Sequence, residues 1–229
     1  MPPRIAARID EIIPAYRRQW GGPMNGQARR REMVQAVAAA LPVSAIVETG
    51  AFRGQTTAFF ATLGVPVWST EISRRFYLYA RRRFPSDSRV ELSLQDSRAF
   101  LRGLVQRSDV PRERVLFYLD AHWQADLPLR EELEIIASVW HDSAVLIDDF
   151  LVPDDPGYSF DDYGNGRALT LEYLGEAALP FVVYWPSAGS EAETGACRGS
   201  VVLATRDGAA ERLAALPELR LDRKSECRL

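Results

Sequence analysis

The acidic residues at the ends of apolar runs are the groups in this chain best suited to chemistry. Asp120 follows Val115-Leu116-Phe117-Tyr118-Leu119, and Asp148-Asp149 follow Ala144-Val145-Leu146-Ile147. If the two runs lie side by side as strands, about 4.8 Å apart, three carboxylates converge. Left uncompensated they repel and raise one another's pKa. A divalent cation resolves that conflict, and Mg²⁺ prefers such oxygen ligands. A second constellation is Glu48-Thr49-Gly50-Ala51-Phe52-Arg53-Gly54, where glycines let the backbone turn and approach a ligand closely. Glu71, 21 residues after Gly50, can accept both hydroxyl hydrogens of a ribose. Asp96-Ser97 ends a third run and can meet an adenine edge.

The elements that must position these groups alternate between strand and helix patterns. Strands are expected at 44–48, 65–70, 89–94, 115–119 and 144–147, with helices at 54–63, 73–84, 97–106 and 127–140. Such alternation means a parallel sheet with helices on both faces, and the first strand–helix turn of such a sheet is where nucleotide-like ligands bind. A long loop at 151–166 follows, then a helix at 167–177 and closing strands at 181–185 and 201–205. The stretch 186–199 reads as a surface loop. Two helical stretches, 5–20 and 27–41, precede the sheet. The expected division is an N-terminal helical cap, 1–42, and a main α/β domain, 43–229.

The E-x-G-x-x-x-G loop with Glu71 resembles the first motif of class I S-adenosylmethionine-dependent methyltransferases, over about residues 44–174. The resemblance implies a Rossmann-like doubly wound sheet of seven strands, order 3-2-1-4-5-7-6, with the last strand antiparallel. It implies Gly50 and Gly54 under the methionine part, Glu71 on the ribose, and Asp96 with Ser97 near the adenine. Glu48, Thr56, Asp120, His122 and Trp123 complete the implied cofactor set. Asp120-Ala121-His122-Trp123, with the Asp148-Asp149 ending, is similar to metal-dependent catechol-type and macrocin-type O-methyltransferases. Those families bind a divalent metal at the positions that are here Asp120, Asp148 and Asp149. The metal would act as Lewis acid on a substrate hydroxyl.

The lysine base of catechol-type enzymes is absent, since the only lysine is Lys224. His122 is a candidate replacement beside Asp120, because histidine titrates near neutral pH; the alternative is an adenine-side or packing histidine. Trp123 reads as a stacking or packing aromatic. The loop 151–166 reads as a substrate lid, with Tyr158, Phe160 and Tyr163 as walls and Asp161 and Asp162 as polar selectors, or as a solvated acidic loop. Arg53 could pair with a substrate carboxylate or with Asp120. The acidic pair could instead cap the following segment.

Composition narrows the function classes. The chain has 229 residues and a formal net charge of −3, which gives no support for nucleic-acid binding. Its two cysteines, Cys197 and Cys227, form no CxxC pair and read as free thiols. One terminal lysine leaves no P-loop and no mid-chain Schiff-base lysine. With neither a signal sequence nor a membrane-length apolar run in view, a cytoplasmic protein is expected. The leading reading is transfer of a methyl group to a hydroxyl of a small-molecule acceptor, using S-adenosyl-L-methionine and Mg²⁺ or another divalent cation. A metal-independent small-molecule methyltransferase and a catalytically silent binding module are the alternatives. The N-terminal helical stretches could form a homodimer contact or a lid.

Overall fold

The computed structural model describes residues 2–13, 21–122 and 126–222. Trp123, Cys227 and residues 14–20 of the expected first helix lie outside the described residues. The expected alternation is present. Strands β1 (Ala45–Thr49), β2 (Val67–Thr70), β3 (Val90–Ser93), β4 (Val115–Leu119) and β5 (Ala144–Asp148) are mutually parallel where they pair. β6 (Phe181–Pro186) and β7 (Ser200–Thr205) close the sheet, β7 running antiparallel to both β5 and β6.

The strand order is 3-2-1-4-5-7-6, as expected, extended by an eighth strand, β8 (Leu219–Leu221), antiparallel to β6. Sequence reasoning counted seven strands because a three-residue edge strand carries no readable alternation.

Alternation along each strand sorts the core into two layers. Val47, Phe117, Val145 and Ile147 pack on one face against α5 (Ser97–Val105) and α6 (Leu129–Val139), through Phe100, Leu101, Leu133 and Ile136. Ile46, Leu116, Tyr118 and Leu146 face the other way. There they meet Met33, Val34 and Val37 of α2 (Ala28–Ala40), Phe60 of α3 (Gln55–Ala61) and Leu213 of α8 (Ala209–Ala214). So α2, placed in the cap by sequence reasoning, packs in the same core layer as the sheet. α1 (Pro3–Ile12) lies against α4 (Arg74–Ala80).

One stretch differs from expectation, and another does more than expected. The helix expected at 167–177 shrinks to α7 (Leu171–Leu174) and a 3-10 turn, Gly175–Ala178. Its first residues are held extended by the Asp162–Ala168 bridge, and Gly175 adopts φ +56°. The stretch 186–199 lies at the surface as expected, but it also clamps α2. α2 lacks a local cap, and its first N–H groups are instead taken by Thr194 Oγ1 (2.9 Å from Ala28 N) and the Glu193 carboxylate (3.0 Å from both Arg29 N and Arg30 N). An acid at a helix N-terminus satisfies orphan donors and opposes the dipole. Among the described residues no helix is long and apolar enough to cross a membrane.

Candidate active site

The parallel strands β1, β2, β4 and β5 deliver their C-terminal ends to one edge of the sheet. Thr49 is in register with Thr70 and Leu119, and Leu119 with Ile147. Gly50, Glu71, Asp120 and Asp148 therefore follow at one level across that edge.

The glycine loop is built against two of these ends. Gly50 N and Ala51 N donate to the Thr70 carbonyl, at 3.0 and 2.9 Å, and Asp120 N donates to Thr49 O at 3.0 Å. Gly50 takes φ +86°, and a Cβ there would sit 2.2 Å from the Asp120 carbonyl oxygen. The Glu71 carboxylate accepts from Phe52 N and Ser73 N, both at 2.7 Å. Burial pushes its pKa up, against those backbone donors. Each of its oxygens keeps a further lone pair for an incoming hydroxyl.

Several expected cofactor residues also have partners within the protein. Glu48 shares the strand face of Ile46 and turns toward α3. It is fully buried, and its Oε2 accepts from the Thr57 hydroxyl and from Ser69 Oγ (2.5 Å), so it braces the loop from below. Burial raises its pKa to about 7. Thr56 Oγ1 accepts from Met24 N at 3.1 Å and docks the N-terminal segment. Asp96 caps α5, accepting from Arg98 N (3.0 Å) and Ala99 N (3.2 Å). Its bonds to Arg98 hold its carboxyl below the usual carboxylate range. Ser97 is buried in the first turn. Gly54, at φ +70°, precedes α3 and packs on Phe84 and Ala80.

Arg53 lies among aromatic rings. It is buried, with its guanidinium 4.6, 5.2 and 5.7 Å from the ring centres of Phe52, Phe76 and Tyr79. Guanidinium–ring attraction in a desolvated place favours that arrangement.

The acidic cluster divides in two. Asp148 shares the strand face of Leu146, so it points toward α2 and away from Asp120. There it pairs with the buried Arg30 guanidinium and accepts from the Tyr118 hydroxyl and, at 3.4 Å, from Asn25 Nδ2. Asp148 is thus corrected from an expected metal ligand to half of a buried ion pair.

Asp149 leaves the strand geometry at φ +54° and faces the other group. The ligand atoms of Asp120, His122 and Asp149 all lie within 4.8 Å of one another. His122 is buried; its Nε2 is 3.9 Å from Asp120 Oδ1, and neither ring nitrogen has a hydrogen-bond partner among the described residues. Burial pushes the His122 pKa down. The Asp120 carboxyl, about 35% exposed, has its pKa raised by desolvation at this edge and by the Asp149 carboxylate beside it.

Arg198, which sequence reasoning missed, bridges Asp149 (2.6 Å) and Asp161. Arg30 was missed too. Its only signal was a charge among Met33, Val34 and Val37 on the buried face of α2.

The loop after β5 is tied to its surroundings by backbone hydrogen bonds. Leu151 N bonds Leu169 O, Asp161 N bonds Asp149 O, and Gly199 N bonds Ser159 O, at 2.9, 2.9 and 2.7 Å. Tyr158 is buried, its hydroxyl donating to Ala188 O at 3.1 Å. Asp161 is held by Arg198 and the Tyr163 hydroxyl. Asp162 is exposed, and its Oδ1 accepts from Gly164 N at 2.8 Å. The Tyr158 hydroxyl and the Asp161 carboxylate, expected to face a substrate, thus have partners within the protein, Asp161 in an ion-pair network.

Glu132, on α6, is fully buried, and burial raises its pKa to about 7. A carboxyl with a raised folded pKa binds its proton more tightly when folded, so stability falls as pH rises from about 4.5 to about 7 and then levels off. The expected loss is about 3 kcal/mol. Glu132→Gln removes that slope. In urea titrations it should match wild type near pH 4.5 and exceed it by about 2–3 kcal/mol at pH 8. An equal difference at both pH values would contradict the assignment.

Comparison with known proteins places this geometry. No family model matches the chain, and no curated protein matches it by sequence. Solved structures match it by fold. An O-methyltransferase from Bacillus cereus, in complex with SAH, superposes with TM-score 0.59 at 14% identity, over 89% of this chain and 90% of that one. The O-methyltransferase TomG from Streptomyces achromogenes, in complex with SAM, gives 0.57 at 16%, over 78% and 80%. CalS10 from Micromonospora echinaspora, an amino pentose methyltransferase, gives 0.51 at 16%, over 78% and 92%. The expected class I methyltransferase fold is therefore the fold observed.

Proposed function

We propose that this chain, built on the methyltransferase fold, transfers a methyl group from S-adenosylmethionine to a hydroxyl of a small molecule, assisted by a divalent metal. The observation that carries this reading is the sheet edge itself. There a glycine backed onto the Asp120 carbonyl, the Glu71 carboxylate and the Asp120–His122–Asp149 group meet. The Gly50 cradle, which any Cβ would fill, fits close approach of a cofactor to bare backbone. Glu71 has lone pairs for two ribose hydroxyls.

The cofactor supplies an electrophilic methyl on sulfur, and the metal a Lewis acid that makes a hydroxyl more acidic. The chain's own part is to hold the two reactants in line and to receive the proton. Asp120 stands at that edge as the candidate acceptor. Positioning of this kind accounts for much of the rate enhancement in two-substrate transfer.

One observation favours the metal-independent alternative. Arg30 and Arg198 already neutralise part of the acidic cluster. The test is calorimetric titration with S-adenosylhomocysteine, followed by a screen of hydroxylated acceptors with labelled cofactor, with and without chelator. Cofactor binding and chelator-sensitive O-methyl product are expected. Chelator-resistant turnover would move the reading to metal-independent transfer. Binding without turnover on any acceptor would favour a silent module, and no binding would remove the methyltransferase reading.

A further inference from the structure

We propose that Asp120, His122 and Asp149 form a binding site for a first-row transition-metal dication, with the His122 imidazole as a ligand, in place of an all-oxygen magnesium site. The proposal rests on the methyl-transfer reading for the use made of the ion, but the ligand set stands on its own geometry.

Three observations carry it. The three ligand atoms lie within 4.8 Å of one another, and donors at about 2.1 Å from a common ion span at most about 4.2 Å, so small side-chain rotations bring all three onto one ion. His122 is buried, yet neither ring nitrogen is hydrogen-bonded among the described residues. A buried polar atom without a partner costs about 1–3 kcal/mol, so an imidazole aimed at two carboxylates calls for an occupant. The third observation is charge. Asp149 and Asp161 share one guanidinium, Arg198, and Asp120 adds a third carboxyl beside them, so the group carries two more acids than bases. A dication balances them.

The donors decide which dication. Imidazole suits zinc, iron and nickel, carboxylate suits magnesium, calcium and manganese, and a mixed set favours manganese, iron, cobalt or zinc over magnesium. Arg198 occupies only Asp149 Oδ1, so the second carboxylate oxygen is available to the ion. Asp148 is excluded because Arg30, Tyr118 and Asn25 already engage its carboxylate.

The experiment titrates chelator-stripped protein with Mg²⁺, Mn²⁺ and Co²⁺ by calorimetry, and records pulsed electron paramagnetic resonance of the Mn²⁺ form. Mn²⁺ and Co²⁺ should bind at least about tenfold more tightly than Mg²⁺. The Mn²⁺ spectrum should show coupling to one imidazole nitrogen, a readout on the wild-type chain that needs no variant to fold. His122→Ala should remove that coupling and weaken Mn²⁺ by about tenfold or more while leaving Mg²⁺ little changed. Asp149→Asn should weaken all three ions.

Equal affinity for Mg²⁺ and Mn²⁺ with no nitrogen coupling would overturn the proposal, as would no ion binding at all. S-adenosylhomocysteine titrated on the same samples separates the two readings. Nucleoside binding without metal binding sinks this site and leaves methyl transfer standing. Metal binding without nucleoside binding does the reverse.

Discussion

Gly50→Ala is expected to weaken the nucleoside binding that the proposed function requires. The added Cβ would lie 2.2 Å from the Asp120 carbonyl oxygen, 2.5 Å from its carbon and 2.9 Å from Ala121 N, all backbone atoms that no rotamer can move. The φ of +86° adds a penalty of about 1–2 kcal/mol for any L side chain. Overpacking adds about 1–3 kcal/mol. The chain can relax only by parting the ends of β1 and β4, which removes the cradle and displaces Asp120. S-adenosylhomocysteine affinity should fall at least about a hundredfold, equivalent to about 2.7 kcal/mol. Gly64→Ala is the control. It has a similar φ of +82° but nothing within 4 Å of the new Cβ, so it should cost only the backbone penalty and leave nucleoside affinity unchanged. Calorimetric titration of both variants checks the difference. Equal losses would mean that backbone conformation, not close approach, is what matters at Gly50.

Arg30→Met destabilises the fold by about 3–5 kcal/mol, because it leaves the Asp148 carboxylate buried and uncompensated. Arg30 and Asp148 are 2% and 1% exposed, so water cannot take over for the lost partner. Arg30 also donates to the carbonyls of Arg198 and Gly199, so its loss loosens the segment that presents Arg198 to Asp149. Asp148→Asn, which strands the guanidinium, should be costly as well. The double variant removes both charges and should recover a large part of the loss, with a coupling energy of about 2 kcal/mol or more. Urea unfolding of the four proteins measures it. Strict additivity would show that the two groups do not depend on each other.

Much of the fold was legible because its signals are local and repeated. Val115–Leu119 reads as a strand covered on both faces and Ala144–Ile147 as its successor, and both are wholly buried. Glu71 was legible from its distance to Gly50, because strand β2 and helix α3 have ordinary lengths. β8 and α8 went unread, since three and six residues carry too little periodicity.

The sequence by itself determined the order of elements and which acids reach the edge of the sheet, since strand ends and glycine turns are dictated by neighbouring residues. Tertiary structure alone decided what each acid faces. Alternation along β5 turns Asp148 toward α2, where Arg30 arrives from 118 positions away, and φ +54° at Asp149 reverses the next carboxylate. Arg198 reaches Asp149 and Asp161 because β7 runs antiparallel beside β5. Such pairings join segments far apart in the chain. Neither spacing nor propensity records them, because the charge that compensates a buried carboxylate is chosen by packing and not by proximity in sequence.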